Sequence, residues 1–381
     1  MHRVRRRLLM PLTTARSTLL ALLIAGVLAA CARGGREAML EDYLQRLGRS
    51  VSQRPVPSTF MGATGLPKLY DDDWERDAPV IGLLDFMRLQ DCALQRVVAE
   101  RNNSLGRFAP PSRRLLNTVD FLRLAPACIA ALSAAGETAL AAQLAAAVQF
   151  KQTHLPRLLW QAMLGSTASR EFWRQPATLG DYPTQTGAEL IVALESLSRL
   201  ASAWLAGDYR RGGEALETEL RSIAGGDGGA LLYALGRLSD TLARGEQLLA
   251  AARAAGPLCY FGRSNQRGDI LFNVVRRYFI GDVQRWAAAL NQRYYALWPA
   301  LHHLEELLAA GEPAGYRRWR EQRDLAIEHF RLAPRRHVEA LHPLLSQCGL
   351  APQAAAACPD SAQALPCQLS IAEAMPSPRL E

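Results

Sequence analysis

VQRWAAALNQRYYALWPALHHLEELL, residues 283–308, is the stretch on which the reading of the fold turns. Val283, Ala287, Leu290, Tyr294, Leu297, Leu301, Leu304 and Leu308 recur at alternating intervals of four and three. That spacing puts all eight on one side of a helix and predicts a coiled-coil-like seam. Pro299 lies inside it and is expected to kink the helix or start a new one, because its ring removes one backbone donor and crowds the preceding turn. The same periodicity recurs through most of the chain, in shorter runs. No run of alternating β-branched residues is long enough for a sheet, and no fixed repeat period marks a solenoid. The fold class that follows is all-α, an irregular multi-helix bundle of antiparallel helices.

Before the seam, helices are predicted over residues 39–51, 81–105, 115–126, 137–160, 187–205, 209–223 and 230–254, and after it over 316–345. Their apolar residues fall at three-to-four spacing. Pro156 should interrupt the alanine-rich helix that contains it. Glycine runs separate the later helices, and Gly225-Gly226-Asp227-Gly228-Gly229 reads as a flexible interhelical turn. Residues 53–80 hold Pro55, Pro57, Pro67 and the run Asp71-Asp72-Asp73. They read as an extended connector along the surface of the body, with the aspartates in a solvated loop. Beyond Cys348 the chain turns Ala/Gln/Pro-rich, a tail (349–381) not expected to pack. The helical body is thus 81–348, preceded by a first helix within 31–52.

Residues 1–30 are organised differently. Arg3, Arg5, Arg6, Arg7 and Arg16 precede an apolar run, with no acidic residue before Cys31. Basic, apolar and then small is the layout of a signal peptide. The uncharged run, residues 17–32, falls short of the ~20 residues a spanning helix needs. The ending Leu28-Ala29-Ala30-Cys31 resembles a bacterial lipobox. That resemblance implies cleavage between Ala30 and Cys31, a lipid on the Cys31 thiol and, with Ala32 rather than Asp next, sorting to the outer membrane on its periplasmic side. An ordinary secreted protein with a free Cys at its cleavage site is the alternative. The pair Arg5-Arg6 is also compatible with a twin-arginine signal, and chance explains it as well in so arginine-rich a chain.

The formal net charge of +8 shrinks once five arginines leave with the signal peptide, to 8 − 5 = +3. So small a charge on a chain of this length gives no footprint for nucleic acid. Six cysteines remain besides Cys31: Cys92, Cys128, Cys259, Cys348, Cys358 and Cys367. In an oxidising compartment they are candidates for disulfides, and no CxxC pair points to zinc or redox chemistry. Cys92 lies sixteen residues before Phe108 and Cys128 eighteen after Pro110, on the two arms of a predicted hairpin. At about 1.5 Å per residue the arms bring both to one height within ~3 Å, so they can be bridged; two free buried thiols are the alternative. Cys358 and Cys367 are placed to close a small loop in the tail.

Gly82-Leu83-Leu84-Asp85-Phe86, then Ala99-Glu100-Arg101-Asn102-Asn103-Ser104-Leu105-Gly106, Pro111-Ser112 and Leu122-Arg123-Leu124-Ala125-Pro126-Ala127-Cys128 form a set. With the lipobox, they resemble the proteobacterial putative lipoproteins grouped as domain-of-unknown-function family 3080, over about residues 40–348. The family's polar run reads Glu-Arg-Asn-Ser-Ser-Leu-Gly, so Asn103 is a departure. The resemblance implies placement in the envelope and carries no catalytic residues with it.

Chemistry is sparse. Glu100, Arg101, Asn102, Asn103 and Ser104 close an apolar helix before a sharp turn. They could offer a charged fork and amides to a carboxylate or a glycan, or simply cap the helix end; the second reading is the stronger. His302-His303-Leu304-Glu305-Glu306 lacks the HExxH spacing of a zinc site and reads as a solvated polar face. His329, His337 and His342 stand isolated. Walker, GxGxxG and GxSxG patterns do not occur. Trp160, Trp173, Trp204, Trp286, Trp298 and Trp319 sit in or beside amphipathic helices and are expected in the core. No metal, cofactor or catalytic set is expected. The expected function is a membrane-anchored periplasmic lipoprotein that binds an envelope protein or glycan. The alternatives are a small-ligand receptor or enzyme around Glu100, and a scaffold that pairs through the 283–308 seam, which would leave that stripe exposed.

Overall fold

The computed structural model describes residues 35–351 apart from 68–78, 80, 104–105, 107, 185–186 and 211–212. The signal peptide expected over residues 1–30, with Ala30, and Cys31, the aspartate run, Ser104, Cys358 and Cys367 lie outside the described residues. Within them the chain is all-helical, without strands. The helices are α1 (Arg36–Ser50), α2 (Leu83–Met87), α3 (Leu94–Asn102), α4 (Pro111–Ala134), α5 (Thr138–Met163), α6 (Thr167–Phe172) and α7 (Ala188–Leu205). There follow α8 (Leu216–Ala224), α9 (Gly228–Ala254), α10 (Gln266–Val274), a π-helical stretch Val275–Gln284, α11 (Arg285–Leu307), a 3₁₀ turn Ala309–Gly311, α12 (Ala314–Arg331) and α13 (Ala333–Gln347).

α9 is the axis of the bundle, packed against α1, α11, α12 and α13. Its small residues explain why: a side chain at Gly236 would meet the Phe60 ring at 2.4 Å, and one at Gly245 would meet His337 at 2.6 Å. The glycine run before it is not merely a flexible turn. Gly228 begins α9 buried, and a Cβ there would strike Phe172 at 2.4 Å. The run is small because neighbours pass close.

The described part of the connector, residues 53–67, lies along α9 in the opposite direction. The Val56 carbonyl accepts from Arg244 Nε at 2.7 Å and Ser58 Oγ donates to Asp240 at 2.8 Å. Phe60 covers Gly236. Two residues of extended chain advance roughly 6.6 Å and four helical residues about 6 Å, so the two keep step. Further on, Trp319 Nε1 donates to the Thr64 carbonyl at 2.9 Å.

Several boundaries differ from expectation. Pro126, Pro156 and Pro299 sit inside continuous helices; the packing of long helices on both sides outweighs one lost backbone bond. The helix expected over 81–105 breaks into α2 and α3 around Cys92. That over 209–223 starts only at Leu216, and Gly213 before it lies so close to Leu116 that an added Cβ would come within 2.0 Å. The last helix divides at Leu332. Leu350 and Ala351 pack against the core, so the body extends past 348.

The 283–308 seam is buried within the chain itself. Val283, Leu290, Leu297 and Leu304 are wholly covered, and α11 packs on α7 and α9. This corrects the scaffold reading, whose condition was an exposed stripe. Glu305 is also not on a solvated face; it is buried against Arg323. His302 Nδ1 instead meets Glu306 Oε1 at 3.3 Å on the surface.

A second, smaller core lies at the far end of the α4–α5 hairpin, where Leu94, Val97 and Val98 of α3 meet Phe121, Leu132, Leu140 and Leu144. Cys92 and Cys128 are bonded there, with Cα atoms 5.5 Å apart. The second bond, Cys259–Cys348, ties the turn after α9 to the end of α13. α4 is long and apolar enough by composition to cross a membrane, yet its apolar side forms this core.

His337 is not isolated but fully buried beside Phe279 of the π-helical stretch. Its Nδ1 faces the Leu242 carbonyl at 3.3 Å, an oxygen that can only accept, so Nδ1 carries the proton and Nε2 accepts from Tyr43 Oη at 2.5 Å. Burial lowers its pKa from 6.5 to about 4. As pH falls below 6.5, the unfolded chain takes up a proton that the folded one refuses until about 4. Stability is therefore full above pH 6.5 and declines by roughly 3 kcal/mol between 6.5 and 4 from this residue. Urea titrations at stepped pH test this, because the decline should be absent in a folded His337→Gln variant.

Candidate functional site

The polar run nominated by the sequence closes on itself. Asn103 Oδ1 accepts the Gly106 N–H at 2.7 Å, and Arg101 Nη1 donates to the Gly106 carbonyl at 3.1 Å. Glu100 reaches Arg96 one turn back, at 3.9 Å on the exposed surface. Asn102 is exposed. These contacts terminate α3 and prepare the turn into α4. Asn103, the departure from the family pattern, supplies an acceptor that a serine hydroxyl could also supply.

A cavity of about 540 Å³ opens elsewhere, where four segments meet. The N-terminus of α4 contributes Pro110, Pro111, Ser112 and Arg114. The end of α5 and the turn after it contribute Trp160, Gln161, Gly165 and Ser166; α6 adds Arg170 and Glu171; α8 adds Glu217, Leu220, Arg221 and Ala224. Local sequence explains each placement. α8 buries Leu216, Leu220 and Ile223, so the stripe at 217, 221 and 224 turns toward the opening. Pro111 at the first helical position starts α4 without wasting a donor. The α5 terminus is tight: the N–H groups of Leu164 and Gly165 both reach the Trp160 carbonyl, at 2.8 and 2.9 Å. A side chain at Gly165 would strike the Trp160 ring at 2.6 Å, so glycine leaves room for the indole and the cavity beside it. Ser166 Oγ then caps α6, accepting from the Ser169 N–H at 3.4 Å.

The wall is graded. Trp160, Ser112, Ser166 and Leu220 are buried, whereas Thr167, Glu171, Glu217 and Arg221 are exposed at the rim. Trp160 packs edge-on to Tyr316, ring centroids 5.1 Å apart, but its indole N–H is buried without an acceptor. An orphaned donor of this kind costs about 1–3 kcal/mol. Arg221 meets the neutral Thr218 hydroxyl of its own helix at 3.4 Å. None of the lining residues is His or Cys, so the hydroxyls of Ser112, Ser166 and Thr167 face no imidazole partner in this wall. The carboxylates of this lining are Glu171 and Glu217, and its cations are Arg114, Arg170 and Arg221.

Sequence reading placed Trp160 in the core, correctly, and missed that its edge borders a cavity. Arg114, Arg170, Glu217 and Arg221 carried no local signal at all, because they converge from helices distant in the chain.

A family model described as protein of unknown function (DUF3080) matches residues 40–352. The chain belongs to that family. No curated protein and no solved structure matches it. The DUF3080 match spans α1 to the residues just past α13, so it takes in the cavity, both disulfides and the α9 axis.

Proposed function

We propose that this DUF3080 protein is an exported lipoprotein, tethered through Cys31 to the periplasmic side of the outer membrane, whose helical body binds an envelope component without catalysis. The observation that carries the reading is the ending Leu28-Ala29-Ala30-Cys31 after a basic and then apolar run. Two bonded cysteine pairs support it, since such bonds persist in oxidising compartments and are rare in the cytosol. A multiply acylated terminus would hold the body at the membrane stably, where one chain would be marginal.

Growth with labelled palmitate should mark the wild-type chain and leave Cys31→Ser unlabelled. The wild-type protein should float with outer membranes in a density gradient, and Cys31→Ser should remain uncleaved or lose that association. Equal labelling and fractionation of the two forms would overturn the tether.

A further inference from the structure

We propose that the cavity where the N-terminus of α4 meets α6 and α8 binds a phosphate monoester of a small organic molecule. This rests on the reading of the helical body as a binding module and names its ligand class; it is independent of the lipid tether.

Three observations converge on the anion. First, the cavity wall includes an uncapped helix N-terminus. Pro110 offers no side-chain cap, and Pro111 at the first helical position has no N–H. The Arg114 N–H already reaches the Pro110 carbonyl at 3.1 Å. The N–H groups of Ser112 and Arg113 are then the donors of the first turn without an intrahelical acceptor. The aligned peptide dipoles of this 24-residue helix favour negative charge at that point.

Second, Ser112 lines the cavity at 6% exposure, and its hydroxyl makes no hydrogen bond among the described residues. Buried polar groups are ordinarily paired, and a ligand oxygen would pair this one. Third, Arg114, Arg170 and Arg221 border the same space. Of the two carboxylates there, Glu171 is held by Arg174, outside the lining, at 2.7 Å. Only Glu217 remains against the three guanidinium groups, a formal balance of 3 − 1 = +2. That balance suits a dianion, and three terminal phosphate oxygens can serve the helix end, the hydroxyl and the arginines at once, where a carboxylate has two. Each guanidinium carries five N–H donors, so Arg114 and Arg170 can keep the contacts they already make. Pro110, Pro111, Leu220 and Ala224 add apolar surface. An organic body fills the remainder of about 540 Å³, most of which a bare inorganic anion would leave wet.

The test is calorimetric titration of the full-length chain with glycerol 3-phosphate, with dihexanoyl phosphatidic acid and with glycerate. At least one of the two phosphates should bind saturably, and glycerate about tenfold more weakly or not at all. Tighter binding of glycerol 3-phosphate assigns a free phosphate ester, and tighter binding of phosphatidic acid a lipid headgroup; either result supports the phosphate class. Ser112→Ala should weaken phosphate binding by about tenfold, with the unfolding temperature of the free chain unchanged, because the hydroxyl has no protein partner to lose. Arg221→Gln, at an exposed helical position, should weaken it about as much. Glu217→Gln should tighten it by roughly two- to fivefold. No saturable binding of either phosphate, equal binding of glycerate, or full affinity in the folded Ser112→Ala or Arg221→Gln variant overturns the proposal. Palmitate incorporation reads the tether separately, so failure of either test leaves the other intact.

Discussion

Glu305→Ala should destabilise the fold by about 3–5 kcal/mol, the largest loss expected from any single substitution here. The Glu305 and Arg323 side chains are 0% and 1% exposed, and they pair through two bonds of 2.7 and 2.8 Å. Tyr316 Oη adds a third bond to Glu305, at 2.7 Å. The guanidinium carbon of Arg323 lies 4.9, 4.6 and 5.1 Å from the ring centres of Trp173, Trp298 and Trp319. Burial alone would ease the proton off Arg323, but Glu305 and Asp324 hold its pKa above the ordinary arginine value. Removing Glu305 therefore strands a full charge among indoles with only the partly exposed Asp324 beside it.

Thermal unfolding should show a midpoint lower by roughly 5–8 °C for a chain of this size. The double variant Glu305→Met/Arg323→Leu, which removes both charges and keeps the volume, should recover most of the loss. A single variant within about 1 kcal/mol of wild type would mean that water reaches this pair.

The next largest effect belongs to the disulfide between Cys259 and Cys348, which closes a span of 89 residues. Replacing both by serine should cost on the order of 4 kcal/mol, chiefly through the freed unfolded chain. The Cys92–Cys128 bond spans 36 residues. Its loss should cost less, by under about 1 kcal/mol, because loop entropy grows only as the logarithm of length. Gly268 shows how closely the first bond is packed: a Cβ there would lie 2.8 Å from both sulfurs. Urea titration with and without reductant measures these differences. If wild type and the serine variants share one midpoint without reductant, the thiols are free in the isolated protein and the export argument loses its structural support.

Much of this was legible beforehand. The 283–308 periodicity called for a helix with one apolar side, and residues 81–128 for a hairpin whose cysteines, Cys92 and Cys128, can meet. Of the six tryptophans expected in the core, Trp160, Trp173, Trp204, Trp286 and Trp319 are buried and Trp298 is only partly so. Local rules failed where long-range packing overruled them. Prolines that should break helices sit inside them, because their neighbours bury both flanks. A glycine run that looked loose is tight, since glycine at close contact and glycine in a flexible turn are written with the same letter. His337 looked isolated because its partners, Tyr43, Leu242 and Phe279, lie 294, 95 and 58 residues away in sequence.

What the sequence alone determined is the helical class and that Cys92 and Cys128 come to one height on neighbouring arms, both of them properties of spacing within some forty residues. What only the tertiary structure decided is which apolar stripes face one another and which polar residues meet. The seam of α11 became interior rather than an interface, and Arg114, Trp160, Arg170 and Arg221 came to border one cavity. Convergence depends on how helices cross, and crossing is fixed by the close approach of whole surfaces, which no short window of sequence contains.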